Sequence, residues 1–354
     1  MKQTVLFCGL LVLVLTVFTV CAVEKTWTGG AGDAWVSSAA NWSPPGAPAD
    51  GDTLRFANSQ ALSVVNDLTG RAYGGITTTG SGAVTLANAG QGFSLSGGIA
   101  VEGSGALNID VPIAIDSAVV FTLTNAPLYV YKAISGTGSI TLEGGKILYA
   151  KDAVTLTGGI TVNLGRIVVE KTSFVAPVTL NQYKVGSTGY VSLSINANGT
   201  YAIPITISGN DGSGHTLTCP PGIHVTNTAP VTVAPGTYTR WCPNGSMTYA
   251  GGIILQEPYV GGTMSVVFNG NNVLRDVPLA IANSVYADNG IFRFAVSGNT
   301  YADLRCLTKT IFTDVPDALD PNANVVFGAG YTKTGSLDLN GNSQTINRPV
   351  LSTL

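Results

Sequence analysis

The strongest constraint on the fold is a series of short β-forming segments separated by glycine-containing turns, seen most clearly from Thr137 to Glu170. Each segment has about four residues rich in Val, Ile, Leu and Thr, which is too short for a helix and typical of strands. The turns hold Gly144-Gly145 and Gly158-Gly159, and glycine adopts positive φ angles at little cost. The pattern predicts strands at Ser139–Leu142, Lys146–Tyr149, Val154–Thr157, Ile160–Asn163 and Arg166–Val169.

Two short motifs recur along the chain at spacings typical of stacked coils. Gly-Gly-Ile begins at residues 74, 97, 158 and 251, and an apolar-Pro-apolar motif begins at residues 111, 203 and 277. The gaps are approximate multiples of a period of about 20–25 residues, which is expected of a solenoid. We therefore predict an all-β fold: a right-handed parallel β-helix, or solenoid, with an N-terminal aromatic cap.

The main alternative is an antiparallel sandwich or barrel, which also needs many short strands. Such a fold requires turns roughly every 8–12 residues. Hairpin-type pairs do occur, at Asn198-Gly199, Asp211-Gly212 and Asn269-Gly270, but not at that regular spacing. The spacing therefore favours the β-helix.

The chain carries little charge for its length of 354 residues. Charged residues make up 10% of it, against about 25% in ordinary globular proteins. The net charge of −3 supplies no basic surface for nucleic acid and no strong field to attract a charged partner. The 44 glycines and the 45% of hydrophobic residues fit an extended β-structure with a large core.

Residues 1–22 are predicted to be a secretory signal peptide. Lys2 precedes an apolar run at residues 5–20, and residues 20–22 supply the cleavage context that a signal peptidase needs. One alternative is an uncleaved anchor helix, since the run is nearly long enough to span a bilayer. Another is a lipoprotein, which the lack of a small residue directly before Cys21 disfavours. We expect a mature protein that is secreted or associated with the cell surface or outer membrane, without a membrane span.

Signal cleavage would remove two of the five cysteines and leave Cys219, Cys242 and Cys306. An odd number does not make a disulfide framework. Cys219 and Cys242 lie 23 residues apart (242 − 219), close to the repeat period, so they are candidates for a disulfide between adjacent coils. The alternative is buried thiols that pack as small apolar residues. His215 and His224 lie near them, but without a CxxC or HxxxH pair the sequence predicts no metal site.

Residues 23–56 contain three of the four tryptophans, Trp27, Trp35 and Trp42, among glycines and prolines. A stacked β-structure has an apolar end and an unpaired strand edge that must be covered. Large aromatic side chains bury much area with few residues, so we predict that this segment is a Trp/Gly-rich cap. The alternative is a ligand platform in which the tryptophan faces bind sugar rings.

Both ends of the mature chain resemble secreted bacterial proteins that carry autotransporter-associated β-strand repeats. At the N-terminal end the matching residues are Trp27, Gly29, Trp35, Asn41, Trp42, Pro48 and Asp52 through Phe56. At the C-terminal end they are Ser297–Tyr301, Ala318-Leu319, Pro321, Leu337–Gly341 and Gln344–Ile346. The second match departs from the family at 302–305, where a Gly/Thr-rich turn is usual. We divide the mature chain into the cap at 23–56, solenoid repeats at 57–289 and one autotransporter-associated repeat at 290–354.

The resemblance implies a passenger-like parallel β-helix with a structural or adhesive role. Its expected partners are cell-envelope or extracellular polysaccharide or surface proteins, with no nucleic acid and no cofactor. The alternative is a carbohydrate-binding or polysaccharide-degrading β-helix, whose chemistry needs convergent carboxylates. The 20 acidic residues are spread along the chain, and the cluster of Asp314, Asp317 and Asp320 fits ordinary turn chemistry. We therefore expect no catalysis.

Overall fold

A computed structural model shows a parallel β-solenoid, which confirms the predicted fold class. It describes residues 22–90, 92–181, 191–208, 215–234, 239–241, 245–255, 266–268, 271–279, 285–287, 290–307, 310–328 and 335–352. Within these ranges the one helical element is a 3₁₀ turn at Ala39–Asn41, and none of the described residues form a helix with the length and hydrophobicity of a bilayer span. Residues 1–21 of the predicted signal peptide lie outside the description. The right-handed sense of the coil stays a prediction.

The strands are short and are numbered β1 to β38 in chain order. The first nineteen are β1 (Glu24–Trp27), β2 (Trp42–Ser43), β3 (Thr53–Phe56), β4 (Leu62–Asn66), β5 (Ala72–Tyr73), β6 (Gly75–Thr78), β7 (Val84–Asn88), β8 (Phe93–Leu95), β9 (Ile99–Val101), β10 (Leu107–Ile109), β11 (Ile113–Ile115), β12 (Ala118–Leu123), β13 (Leu128–Val130), β14 (Ile134–Gly136), β15 (Ser139–Glu143), β16 (Ile147–Ala150), β17 (Val154–Leu156), β18 (Ile160–Val162) and β19 (Gly165–Val169). The next nineteen are β20 (Val178–Asn181), β21 (Val191–Ile195), β22 (Gly199–Tyr201), β23 (Ile205–Ser208), β24 (His215–Thr218), β25 (His224–Asn227), β26 (Val231–Val233), β27 (Thr239–Trp241), β28 (Ser246–Tyr249), β29 (Ile253–Leu255), β30 (Val266–Phe268), β31 (Asn271–Arg275), β32 (Val285–Ala287), β33 (Ile291–Ala295), β34 (Asp303–Cys306), β35 (Thr310–Thr313), β36 (Asn324–Phe327), β37 (Ser336–Asp338) and β38 (Val350–Ser352). The five strands predicted between Thr137 and Glu170 are β15 to β19, with each end within one residue of the prediction.

The strands stack into four sheets that form the sides of the coil. Sheet A has 12 strands in the order β2-β1-β3-β6-β9-β12-β15-β18-β20-β23-β26-β29, and sheet B has 14 in the order β38-β36-β34-β32-β30-β27-β24-β21-β19-β16-β13-β10-β7-β4. The third side is sheet C (β17-β14-β11-β8-β5) in the N-terminal half and sheet D (β22-β25-β28-β31-β33-β35-β37) in the C-terminal half. Neighbouring strands pair in parallel, as β3 does with β6 and β6 with β9, whereas β1 and β2 are antiparallel.

The offset between paired residues confirms the repeat period read from the sequence. Ile76 pairs with Ile99, and Ile99 with Phe121, offsets of 23 and 22 residues (99 − 76 and 121 − 99). All four Gly-Gly-Ile motifs lead into sheet A, at β6, β9, β18 and β29. The proline motif is less constant, because Ile113 begins a strand of sheet C and Ile205 a strand of sheet A. That motif therefore marks the start of a strand rather than one side of the coil.

The core is a set of apolar ladders that run along the inside of the coil. Alternate side chains of a strand point to opposite faces, so a parallel register repeats the inward residue on every turn. One ladder in sheet A contains nine side chains with at most 1% exposure: Leu54, Ile76, Ile99, Phe121, Leu142, Val162, Leu180, Ile207 and Val233. Each side chain packs on the one a turn away, so the core is continuous along sheet A.

Glycine stands where successive turns approach too closely for a side chain. A Cβ atom added at Gly97 would overlap the carbonyl oxygen of Gly74, one turn earlier. A Cβ atom at Gly103 would likewise overlap the carbonyl oxygen of Gly80. Stacked turns of this kind account for part of the high glycine content.

Proline stands just before strands, where its missing N–H costs no ladder hydrogen bond. The carbonyl of Pro177 accepts from the Ile160 N–H at 2.7 Å, and that of Pro204 accepts from the Val178 N–H at 2.9 Å. Both prolines therefore still take part in the pairing between turns.

Strand pairing continues across the predicted domain boundaries. The boundary after residue 289 falls between β32 and β34, which pair directly through Val285 and Leu304. The boundary after residue 56 follows β3, which pairs with β6. One stack of strands therefore passes through both limits. The division into 57–289 and 290–354 stays a prediction.

Gly97→Ala is expected to destabilise the protein by about 1–3 kcal/mol, because its Cβ atom has no room beside Gly74. Thr155→Ala, on the exposed face of β17, is the matched control and is expected to change stability by less than about 0.5 kcal/mol. Chemical denaturation followed by circular dichroism measures both. Equal midpoints for the two variants would contradict the close stacking of these turns.

Candidate functional site

The outer face of sheet A carries one threonine on each of five successive turns. Strand register places these side chains next to one another in one line, which we call the threonine row: Thr141, Thr161, Thr179, Thr206 and Thr232. All five are half-buried, and neighbouring strands of a sheet lie about 4.8 Å apart. The row continues into Val120 at one end and Ile254 at the other, which are 48% and 49% exposed. The row itself is uncharged, regular and made of hydroxyl and methyl groups.

A second line of polar side chains runs beside the threonine row. The amide of Asn163 donates to the Glu143 carboxylate at 2.6 Å, and the amide of Asn181 donates to the Asn163 carbonyl oxygen at 3.0 Å. The Ser208 hydroxyl then donates to the carbonyl oxygen of Asn181 at 3.0 Å. These bonds link four turns through side chains alone, so the polar groups on this face are held in fixed positions.

The outer face of sheet B carries a cluster of aromatic rings, which we call the tyrosine surface: Tyr129, Tyr131 and Tyr149. Strand register aligns Asn108, Tyr129 and Tyr149 on β10, β13 and β16. Leu128 and Val130, on either side of Tyr129, point inward and are fully buried. Because side chains alternate along a strand, Tyr129 and the two residues aligned with it point outward. The Tyr129 and Tyr149 rings stack with centroids 4.5 Å apart and an interplanar angle of 8°. Tyr131 lies 6.3 Å from Tyr129 and is 42% exposed.

Backbone pairing continues one residue beyond these strands and forms a further line of side chains. The N–H of Tyr131 donates to the Ile109 carbonyl at 2.8 Å, and that of Lys151 donates to the Val130 carbonyl at 2.9 Å. The aligned side chains are Asp110, Tyr131, Lys151 and Glu170. The tyrosine surface is therefore flanked by charged groups at defined positions.

The charges around the tyrosine surface are paired. The Lys151 ammonium lies 2.8 Å from the Glu170 carboxylate, and the Lys132 ammonium lies 3.4 Å from that of Asp110. Lys151 also lies over the Tyr149 and Tyr129 rings, at 5.4 and 5.8 Å from their centroids. Burial raises the pKa of the Tyr129 phenol, and the neighbouring Tyr149 and Tyr131 phenols raise it further. The two ion pairs add no net formal charge to this surface.

A shallow cavity of about 320 Å³ opens beside Tyr131. Its lining residues are Thr85, Asn108, Asp110 and Tyr131. They supply a hydroxyl, an amide, a carboxylate and an aromatic ring, so the cavity contains hydrogen-bond donors and acceptors next to an apolar face. The amide of Asn108 lies 3.4 Å from the Thr85 hydroxyl.

The three tryptophans of the proposed ligand platform differ in their exposure to solvent. Trp42 is 2% exposed, and its indole N–H donates to the Val36 carbonyl at 2.8 Å. Trp27 packs edge-on against it with centroids 5.0 Å apart, and Phe56 lies 6.0 Å from Trp42. Trp35 is 45% exposed. Of the three rings, Trp35 presents the largest fraction of its surface to solvent. The ligand platform stays a prediction.

Two buried polar residues of the same N-terminal segment form hydrogen bonds with its backbone. Asn41 is fully buried, and its amide donates to the Asp33 carboxylate at 2.8 Å while its oxygen accepts from the Ala31 N–H at 2.9 Å. Asp52 is 2% exposed and accepts from the N–H groups of Val23 and Ala49, each at 2.9 Å. Their role in the structure is to order the chain. Whether residues 23–56 act as a cap stays a prediction.

The predicted Cys219–Cys242 disulfide stays a prediction, because Cys242 lies outside the described residues. Cys219 is fully buried, and its sulfur lies 3.7 Å from the Ser246 carbonyl and 3.8 Å from that of Ile223. Burial raises its pKa. Cys306 is also fully buried, and burial raises its pKa to about 12.

The aspartates singled out in the sequence are engaged in local structure. Asp314 forms an ion pair with Arg293 at 2.7 Å, and Asp317 has a φ of 47° in a turn. Asp320 is 8% exposed and accepts the Tyr301 and Asn322 N–H groups at 3.0 and 2.8 Å. Among the residues that the structure describes, no group of three or more His, Cys, Asp or Glu side chains could hold a metal ion.

No family model, curated protein or solved structure matches this chain. The resemblance to autotransporter-associated repeats therefore depends on the sequence motifs alone. The fold is established by the strand pairing described above.

Sequence reasoning missed the tyrosine surface, although the chain contains a signal for it. Leu-Tyr-Val-Tyr at 128–131 and Leu-Tyr-Ala-Lys at 148–151 have the same order of inward and outward residues, 20 residues apart (148 − 128). Aligning the chain at the solenoid period would have placed Tyr129 beside Tyr149.

Trp42→Ala is expected to lower the free energy of unfolding by about 3–5 kcal/mol, because the ring is buried against Trp27 and Phe56. Trp35→Ala, with its ring 45% exposed, is expected to cost less than about 1 kcal/mol. Guanidinium denaturation of the two variants measures the difference. Similar losses in both would argue against the packing described for Trp42.

Cys306 in the folded protein is expected to react with iodoacetamide at pH 8 more than about 100-fold more slowly than in urea. At that pH a thiol with a pKa of about 12 is ionised in about one molecule in ten thousand, and the side chain is also shielded from solvent. Mass spectrometry of the labelled peptide measures the rate. The control is Thr155→Cys, at an exposed position, which should label quickly. Equally fast labelling of Cys306 would contradict its burial.

Proposed function

We propose that this chain is a secreted or cell-surface β-solenoid, associated with the cell envelope or outer membrane, with a structural and adhesive role and no catalytic one. The observation that carries the proposal is the threonine row on sheet A. A long row of uncharged, regularly spaced side chains suits repeated weak contacts along a polymer or another surface. It differs from the single enclosed pocket that is usual for small-molecule ligands.

The rigidity of this face supports the proposal. The threonines point outward from the strands whose inward residues form the nine-membered apolar ladder of sheet A. A contact along several turns is strongest when the groups are already ordered, because little conformational entropy is then lost on binding. The hydrogen-bonded side-chain line from Glu143 to Ser208 orders the neighbouring groups as well.

The location of the protein is proposed from its sequence. The apolar N-terminal run has the features of a secretory signal, and the motifs at both ends resemble secreted passenger-like proteins. The partners would be cell-envelope or extracellular polysaccharide, or surface proteins. The low charge of the chain agrees with contacts made mainly through hydroxyl, amide and aromatic groups.

A carbohydrate-binding role is the second candidate, and the tyrosine surface with its adjoining cavity favours it. Polysaccharide degradation has less support. Glycoside hydrolysis needs two carboxyl groups that face one glycosidic bond. Here Asp314 forms an ion pair with Arg293, and Asp320 accepts hydrogen bonds from backbone N–H groups.

The adhesive proposal predicts that the purified mature protein is retained on a surface without degrading it. Beads of cellulose, chitin and mucin-coated agarose are incubated with the protein, and retained protein and released reducing sugar are measured on the same samples. Retention on at least one material without sugar release is expected. Release that increases with protein concentration would show catalysis, and no retention on any material would contradict adhesion.

A double variant tests whether the threonine row makes the contact. Thr161→Glu with Thr206→Glu places charge on two turns separated by Thr179, and retention is expected to fall about tenfold because a contact surface loses affinity when unpaired charge must be desolvated. Thr155→Glu, on the exposed face of β17, is the control and should be retained like the unmodified protein. Circular dichroism confirms that each variant is folded.

A further inference from the structure

We infer that the tyrosine surface and the cavity beside Tyr131 form a binding site for a neutral, pyranose-based polysaccharide. This inference depends on the proposed function, because it names the class of ligand that one face of an adhesive solenoid binds. It assigns a site on sheet B, distinct from the threonine row on sheet A.

The aromatic part of the site suits the face of a sugar ring. The π face of an aromatic ring carries partial negative charge, and the C–H groups on one face of a pyranose carry partial positive charge. Tyr131 has 42% of its surface exposed, at the edge of the stacked Tyr129–Tyr149 pair. Because the two rings of that pair stack nearly parallel and Lys151 lies over them, Tyr131 stands beside a packed neighbour. The sugar therefore meets an ordered aromatic surface rather than a single mobile ring.

The polar part of the site suits sugar hydroxyl groups. Each hydroxyl both donates and accepts a hydrogen bond, and the Asn108 amide and the Thr85 hydroxyl can each do the same. The Asp110 carboxylate adds a charged acceptor, which makes stronger hydrogen bonds than a neutral one. These three groups line the same cavity as the Tyr131 ring. One sugar residue can thus stack on Tyr131 while its hydroxyls reach Asn108 and Asp110.

The size and openness of the site indicate a polymer. A volume of about 320 Å³ lies at the lower end of the range for ligand sites, so the cavity holds a short part of a chain. The line of side chains from Asp110 to Glu170 spans three steps between turns, or about 14 Å along the axis. A chain can therefore enter and leave the cavity along the surface.

The charges favour a neutral polymer over an acidic one. Each carboxylate in the line is matched by a lysine, Asp110 by Lys132 and Glu170 by Lys151. An acidic polysaccharide would bring further negative charge next to the Asp110 and Glu170 carboxylates, whose lysine partners are already engaged in these ion pairs. Binding to a neutral polymer needs no such compensation, and its affinity should change little with salt.

Affinity gel electrophoresis of the full secreted protein tests the site. Native gels contain a neutral β-glucan, a galactomannan or polygalacturonate, and mobility gives the dissociation constant. We expect retardation by at least one neutral polymer, little effect of 0.5 M salt (roughly a 4 Å screening length) on binding in solution, and no retardation by polygalacturonate. Tyr131→Ala is expected to raise the dissociation constant about tenfold, and Tyr131→Phe to leave it nearly unchanged, because stacking needs the ring and not the hydroxyl.

Ile291→Ala is the matched control, because Ile291 is also an exposed apolar residue, 38% against 42%, and it lies on sheet D rather than sheet B. It should bind like the unmodified protein. If Tyr131→Ala also binds like the unmodified protein while bead retention persists, the site is wrong and the adhesive function stands. If the protein is retained on beads but binds only polygalacturonate, in a salt-sensitive way, the ligand class is wrong. If it is neither retained nor retarded, the site and the proposed function fail together.

Discussion

The parallel hydrogen bonds between one turn and the next are the constraint on which the rest of the structure depends. They set each strand directly beside its counterpart about 4.8 Å away, and they fix which residue lies next to which. On the inside, this register turns the inward positions into apolar ladders, as from Leu54 to Val233 in sheet A. Where the chain turns, the same spacing leaves no room for a Cβ atom at Gly97.

Side chains complete the pairing where the backbone departs from it. The oxygen of fully buried Asn227 accepts from the Ile203 N–H at 3.0 Å, and its amide donates to the Ile203 carbonyl at the same distance. Asn299 joins Leu279 to Ala318 in the same way, with two bonds of 2.8 Å. Leaving such buried backbone groups unpaired would cost roughly 1–3 kcal/mol each. Buried asparagines therefore hold turns together where the strands do not.

The same register also determines which side chains lie next to one another on the outer faces. Identical or similar side chains come to lie side by side, which produces the threonine row on sheet A and the stacked Tyr129–Tyr149 pair on sheet B. A solenoid of this kind presents repeated groups along its length. Lysine and carboxylate neighbours such as Lys151 and Glu170 can also pair across turns, so that local charge cancels. Both proposed contacts are consequences of stacking.

The sequence by itself determined the fold class, the repeat period and the strands between Thr137 and Glu170, because short β-forming runs and glycine turns are local properties of the chain. It also placed Pro112 and Pro204 just before strands. The tertiary structure alone decided which aromatic rings are accessible: Trp42 is buried and Tyr131 is exposed. It also decided that Tyr129 meets Tyr149, because that contact depends on the register between turns and on which sheet each strand joins. Accessibility and register are set by packing between distant residues, and a local pattern does not contain them.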